Sequence, residues 1–248
     1  MIRLFERPIA HRGLHDRANG IIENSRAAFE AAIAKGYAIE CDVQLSSDGV
    51  PFIFHDDDFE RLTSATGRSD AMPIAEVQTL VLTDSAANET PQRFTEFLEQ
   101  IAGRAQLQIE LKQQADAART VRLATEVATA LKGYRGPYTI ESFDPRLLAA
   151  LREAGVTAPL GIITYAYDEP GWDNHIPWWR KFVLRHLLHW PWTRFSFISC
   201  RNLSLYLPMV RFLHARGMEV TSWTITSEQA ARAALRASDQ IVFEGFLP

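Results

Sequence analysis

YAIECDVQLSSDGVPFIFHDDD, residues 37–58, governs how the rest of the chain is read. Ile39, Val43, Ile53 and Phe54 are residues of a buried core, yet Glu40 and Asp42 stand among them and His55 and Asp56 close the run. Side chains alternate along a strand, so Glu40 and Asp42 share one face while Ile39, Cys41 and Val43 share the other. Only SSDG separates AIECDVQL from VPFIFH. A parallel crossover takes a dozen residues or more, so VPFIFH folds back as the second arm of an antiparallel hairpin.

Outward from the hairpin, strand-type runs alternate with runs of helical period. PIAHRG is strand-like, and SRAAFEAAIAKG is a helix capped by Asn24 or Ser25 and stopped at Gly36. Downstream come the helix PQRFTEFLEQIAG, the strand QLQIELK, the helix ADAARTVRLATEVATALKG and the strand YTIESF. The helix DPRLLAALREAG follows, with Asp144 and Pro145 in N-cap and first-turn positions. LGIIT and FSFISC are strands, LSLYLPMVRFLHARG a helix, and EVTSWTI, SEQAARAALRAS and QIVFEGF complete the alternation. The parallel strands number about eight, the count that closes a barrel. The expected fold is therefore α/β, a (β/α)8 TIM barrel with an antiparallel hairpin arm and a small insertion after the second strand. One barrel domain over 1–248 is expected, with the insertion at about 57–90 and a Trp-rich rim loop at about 165–195. An open doubly wound sheet is the competitor, but no GxGxxG phosphate loop is present.

The 248 residues are 47% hydrophobic and 23% charged, an ordinary globular composition. A net charge of −4 and an isoelectric point near 6.0 argue against nucleic acid as a partner. Cys41 and Cys200 form neither a disulfide framework nor a CxxC metal pair, so a reducing interior is expected. MIRLFERPIAHRG has no apolar signal region and no bilayer-length apolar run follows; the expected location is cytoplasmic.

The apolar face of AIECDVQL suits the layer under the helices, which leaves Glu40 and Asp42 in the barrel interior. QLQIELK repeats the pattern, with Ile109 and Leu111 outward and Glu110 and Lys112 inward. Three carboxylates and a lysine in one lumen are costly without compensation. An oxygen-only set of Glu40, Asp42 and Glu110 suits one hard divalent ion, Mg²⁺ or Ca²⁺, better than zinc. Pairing among the groups themselves, Lys112 with Glu110 or Glu40, is the plainer alternative. His11 ends the first strand beside Arg12, and His55 ends the hairpin arm. On one rim, two imidazoles, two fixed cations and a metal make a phosphodiester site, with one imidazole deprotonating the nucleophile and the other protonating the leaving alkoxide. Taken singly, His15, His175, His186, His189 and His214 are read as packing or loop residues, His15 being the closest to the site.

HRG at 11–13, ENS at 23–25, ECDV at 40–43, FHDDDFERLT at 54–63 and IELK at 109–112 occur in an order that resembles the glycerophosphodiester phosphodiesterases. These are (β/α)8 barrels related to phosphatidylinositol-specific phospholipases C. ESF at 141–143 and SWTI at 222–225 resemble later family landmarks. The resemblance implies His11 and His55 as the acid–base pair, Arg12 and Lys112 on phosphate, and Glu40, Asp42 and Glu110 on the metal. It further implies Glu23 and Asn24 as supporting residues, with Trp223, of one parity with Thr221 and Ile225, walling the substrate's glycerol. The chain departs from the pattern at Ile22, where Pro is usual, at Leu62, and at IVFEGFLP, where Glu244 stands near the expected Asp. The implied reaction is metal-dependent hydrolysis of glycerophosphodiesters to glycerol 3-phosphate and an alcohol. Alternatives are a lysophospholipase D-type enzyme on membrane lipids, and a barrel that only binds phosphorylated ligands.

The loop YAYDEPGWDNHIPWWRKFVLRHLLHWPWTRF carries most of the six tryptophans with Arg180, Lys181, Arg185 and Arg194. A short amphipathic helix with a basic side suits peripheral membrane contact. A loop packed over the barrel mouth, its apolar side chains buried, is the favoured expectation. Oligomeric state is not legible.

Overall fold

The computed structural model describes residues 4–169 and 173–248. Its strands are β1 (Ile9–Ala10), β2 (Ala38–Leu45), β3 (Pro51–Ile53), β4 (Leu107–Leu111), β5 (Tyr138–Ser142), β6 (Leu160–Thr164), β7 (Phe197–Arg201), β8 (Glu219–Ile225) and β9 (Gln240–Phe243). Between them lie α1 (Arg26–Lys35), α2 (Ile74–Val77), α3 (Phe94–Ile101), α4 (Ala117–Leu131), α5 (Pro145–Glu153), α6 (Trp178–Arg185), α7 (Trp190–Thr193), α8 (Pro208–Ala215) and α9 (Glu228–Ala234). All strands but β3 run parallel, in the order β1-β9-β8-β7-β6-β5-β4-β2, and β1 pairs with β2 to close the ring. The fold is a closed eight-stranded parallel barrel with helices between strands, as expected. β3 is the antiparallel arm, set by Val43 opposite Ile53 and Leu45 opposite Pro51.

Strand parity sorts the side chains as the sequence implies. Ile39, Cys41, Val43, Ile109 and Leu111 are fully buried in the layer between barrel and helices, while Glu40, Asp42, Glu110 and Lys112 meet inside. Phe5, Ile9, Ala38, Phe197 and Val242 plug the floor of the lumen. Gly161 makes room for that plug, because a Cβ there would collide with the Phe197 ring. Helix ends follow local chemistry: Ser25 rather than Asn24 caps α1, and Asp144 caps α5 ahead of Pro145. Between β3 and α3 the chain forms its own small core, in which Phe54, Phe59, Leu62, Ile74 and Val77 pack with Phe52.

Two expectations are corrected. Trp223 and Ile225 do not share a face: a register shift between Ser222 and Ile225 turns Ile225 into the outer core, while Trp223 stays with the floor plug. The Trp-rich loop buries only part of its apolar side chains. Tyr165, Tyr167 and Leu184 pack together, but Trp178, Trp179, Phe182, Leu188, Trp190 and Trp192 are exposed. The physical reason is geometric: α6 and α7 are short and only one side of each is packed, α6 through Leu184 and α7 against α5. Trp172 of that loop, with residues 170 and 171, lies outside the described residues. Among the described residues no helix is long and apolar enough to cross a membrane.

Candidate active site

The first wall of the site is the turn after β1. The His11 amide donates to the Phe243 carbonyl (2.9 Å), and the chain then turns sharply through Arg12 at φ 55° and Gly13 at φ 78°. Gly13 passes so close to α1 that a Cβ would lie 2.8 Å from the Ala28 carbonyl carbon. The turn aims the Arg12 backbone N–H at Glu40 Oε2 (2.8 Å) and its guanidinium at Glu23 Oε1 (2.6 Å), with Arg12 Nε 3.4 Å from Asp42 Oδ2. In the ENS segment each residue does a separate job. Glu23 holds Arg12, and Ser25 accepts the Ala28 N–H (3.2 Å) to start α1. Asn24, also at positive φ, donates to Asp42 Oδ2 (2.8 Å) and accepts the Asp42 N–H (3.3 Å).

Glu40, Asp42 and Glu110 form the centre, offering carboxylate oxygens within 4.8 Å of one another. Lys112 Nζ lies 2.8 Å from Glu110 Oε1 and 3.3 Å from Asp42 Oδ1. The carboxylates do not share charge equally. Burial, then repulsion from Asp42 and Glu110, raises the Glu40 pKa well above the usual range. Burial would raise Asp42 too, but nearby positive charge, Lys112 foremost with Arg12 beside it, outweighs it and holds Asp42 strongly ionised. Glu40 Oε1 is buried with no hydrogen-bond partner. An orphaned carboxylate oxygen within an all-oxygen donor set fits a divalent cation, which supplies the missing positive charge.

The two histidines are each fixed by a carboxylate. His11 Nδ1 lies 2.6 Å from Glu244 Oε2, and its Nε2 is 3.9 Å from Glu40 Oε2. His15 Nε2 stands 3.5 Å from the same Glu244 oxygen. The His11 hydrogen bond, with His15 close by, holds the Glu244 pKa well below the usual carboxylate range. Burial lowers the His11 pKa and Glu244 only partly opposes it, so His11 is neutral near pH 7, with its proton on Nδ1 and Nε2 free to accept. His55 Nδ1 lies 2.6 Å from Asp56 Oδ1, and Arg61 grips Asp56 Oδ2 (2.6 Å) and Glu23 Oε1 (2.7 Å). Gln44 steadies the same segment by donating to the Asp56 carbonyl (3.1 Å).

His11, Arg12, Glu23, Asn24, Glu40, Asp42, Glu110 and Lys112 thus form one polar network, and His55 joins it through Asp56 and Arg61. Trp223 stands outside that network: its Nε1 donates to the Ser199 carbonyl (3.1 Å), and its ring meets Phe143 edge-on at 5.6 Å. A groove of about 420 Å³ opens over Glu110 and Lys112 and is walled by Phe143, Tyr165, Tyr167 and Leu184. Lys112 also lines a second hollow with His55, Asp56 and Arg61. Sequence reasoning did not assign Asp56, Arg61 or Glu141. Glu141 is buried in the lumen with its pKa pushed up to about 8, by burial first and by Glu110 among nearby charges. Its alternation with Ile140 along the strand, the same pattern as Glu110 with Ile109 on the paired β4, was the available signal.

The model of the glycerophosphoryl diester phosphodiesterase family matches residues 11–243. Glycerophosphodiester phosphodiesterase 1 of Mus musculus is 26% identical over 243 residues, covering 88% of this chain and 71% of the mouse protein. Among solved structures, the Oleispira antarctica phosphodiesterase in complex with its product sn-glycerol-3-phosphate is 22% identical, with a TM-score of 0.79 over 97% of this chain and 93% of that one. A glycerophosphodiester phosphodiesterase from Thermotoga maritima gives 22% identity and a TM-score of 0.69 over 95% and 92%. At such identities the structures speak for the fold.

Proposed function

This chain belongs to the glycerophosphoryl diester phosphodiesterase family, and from that premise we propose that it hydrolyses glycerophosphodiesters to glycerol 3-phosphate and an alcohol, with His11 and His55 as the proton-transfer pair. The observation that carries the reading is geometric: His11 and His55, each held by a carboxylate at 2.6 Å, stand beside the Glu40, Asp42 and Glu110 cluster, His11 Nε2 at 3.9 Å from Glu40 and His55 in one hollow with Lys112. Glu40, Asp42 and Glu110 are the ligands for one divalent cation, Mg²⁺ or Ca²⁺, which when bound supplies a Lewis acid for the phosphoryl oxygens. Asn24 holds Asp42 in place, and Glu23 holds Arg12. Arg12 and Lys112 bind the phosphate.

One imidazole removes the proton of the attacking oxygen as its bond to phosphorus forms; that oxygen is a water, or else the glycerol 2-hydroxyl, in which case the product is a cyclic phosphate that a water then opens to glycerol 3-phosphate. The other gives a proton to the leaving alkoxide as the second P–O bond breaks. An alkoxide is a poor leaving group, so the reaction needs both transfers. Trp223, edge-on to Phe143, backs the wall against which the glycerol moiety rests. We read residues 1–248 as one such domain, working in a reducing cytoplasm, where the buried free thiols of Cys41 and Cys200 are stable.

The test is choline release from glycerophosphocholine with and without EDTA, beside His11→Ala. Turnover is expected to fall by about 10²–10⁴-fold in the variant and to vanish on chelation; undiminished turnover in either arm overturns the mechanism. The aromatic wall of the groove favours a second reading, a lysophospholipase D-type activity on lysolipids. Faster cleavage of lysophosphatidylcholine than of glycerophosphocholine would select it. A barrel that merely binds phosphate has no use for two imidazoles poised for proton transfer.

A further inference from the structure

We propose that the outer face of α6 and α7 is a docking surface for an anionic lipid bilayer, which seats the barrel mouth on the membrane. α6 has two sides. Leu184 and Arg180 line the groove that opens over Lys112, while Trp178, Trp179 and Phe182 face solvent, Trp178 at 79% exposure. Leu188, Trp190 and Trp192 extend the exposed strip along α7. The segment after β7, at the same end of the barrel as the mouth, also exposes Leu203, at 67%, and Tyr206. Scattered exposed apolar residues are ordinary, but Trp178, Trp179 and Phe182 stand together on the helix that also lines the groove, and clustered exposed tryptophan is the composition of a bilayer interface.

Charge selects the occupant. From Trp178 to Arg194 the chain carries Arg180, Lys181, Arg185 and Arg194 with no Asp or Glu. Lys181 is paired with Asp173 and Arg185 lies 3.7 Å from Asp168, whereas neither Arg180 nor Arg194 has a carboxylate within ion-pair distance among the described residues. On a protein of net charge −4, this is a local cationic belt around an aromatic strip. That arrangement complements lipid phosphates and interfacial tails together. A symmetric contact between two copies would instead set this strip's own cations against each other, since it contains no Asp or Glu. The inference goes beyond the hydrolytic reading and does not depend on it.

The experiment is cosedimentation of the full chain with vesicles of phosphatidylcholine alone and of equal parts phosphatidylcholine and phosphatidylglycerol. Binding is expected to the mixed vesicles, weakened by salt, and reduced roughly tenfold or more in Trp178→Ser/Trp179→Ser/Phe182→Ser. Arg194→Glu is a second variant and should weaken binding to mixed vesicles only. Circular dichroism and unchanged turnover of glycerophosphocholine certify that the variants are folded. Protein that stays in the supernatant with both vesicles, or binding undiminished in the triple variant, overturns the proposal. So does a dimer in sedimentation equilibrium that the triple variant dissolves, since the strip then belongs to a second copy. Vesicle binding by a chain that turns over no glycerophosphocholine would instead count against the hydrolytic reading alone.

Discussion

Glu244 holds His11 at 2.6 Å and stands 3.5 Å from His15, so one carboxylate determines both the tautomer and the basicity of the first imidazole. Burial lowers the His11 pKa and the Glu244 hydrogen bond raises it. Replacing Glu244 by Gln removes the opposing charge, and the His11 pKa falls further. Whichever limb of the kcat/KM profile His11 governs should therefore move to lower pH in Glu244→Gln, with kcat falling by about tenfold to a hundredfold. An acidic limb that moves makes His11 the base, and an alkaline limb that moves makes it the acid; a profile that does not move removes Glu244 from the role. The inward carboxylates were legible in the sequence because alternation along a single strand puts Glu40 beside Asp42, and Glu110 beside Lys112. Asp56 and Arg61 were not, because their contacts depend on a loop path with no period to read. His11 and Glu244 are 233 positions apart, and only the order of motifs hinted that an acid belonged at the second place.

At the scale of elements, two short turns do most of the positioning. Ser25→Ala removes a hydroxyl that satisfies one N–H of α1 and should cost about 1 kcal/mol. Gly13→Ala meets both a left-handed backbone and the Ala28 carbonyl, and should cost more, roughly 1–3 kcal/mol. Urea denaturation separates them, and a milder loss in Gly13→Ala than in Ser25→Ala would contradict the account of the turn. Regular elements read well from sequence: the hairpin arm followed from a four-residue link, and α5 from Asp144 and Pro145. Reading failed where regularity did. The register shift in β8 separated Trp223 from Ile225, which no alternation rule foresees. The exposed tryptophans of α6 and α7 defied the expectation that apolar residues bury themselves, because that expectation describes whole proteins and not one helix on a rim.

For the whole molecule, the lumen holds more acid than its own cations comfortably balance, and Glu141 records the strain. Its folded pKa of about 8 against a usual value of 4.5 means that the folded state binds the extra proton between those values. Stability of the protein in EDTA should then decline as pH rises from about 4.5 to 8 and level off above, since the unfolded chain releases that proton first. Glu141→Gln should lessen this decline, to which Glu40, also raised, contributes in the same direction; thermal melts at pH 5 and pH 8 that differ as much in the variant as in the parent would reject the assignment. Barrel closure was legible from the count of alternating runs, although not which side chains would plug its floor. Closure also has a consequence in time. β1 is two residues long and is held by β9 as well as by β2, so the seam joins the earliest part of the chain to nearly the latest. A nascent polypeptide still short of β9 has His11 without its carboxylate and a ring without its last stave. The ring, and the carboxylate that holds His11, are therefore complete only once β9 has been made.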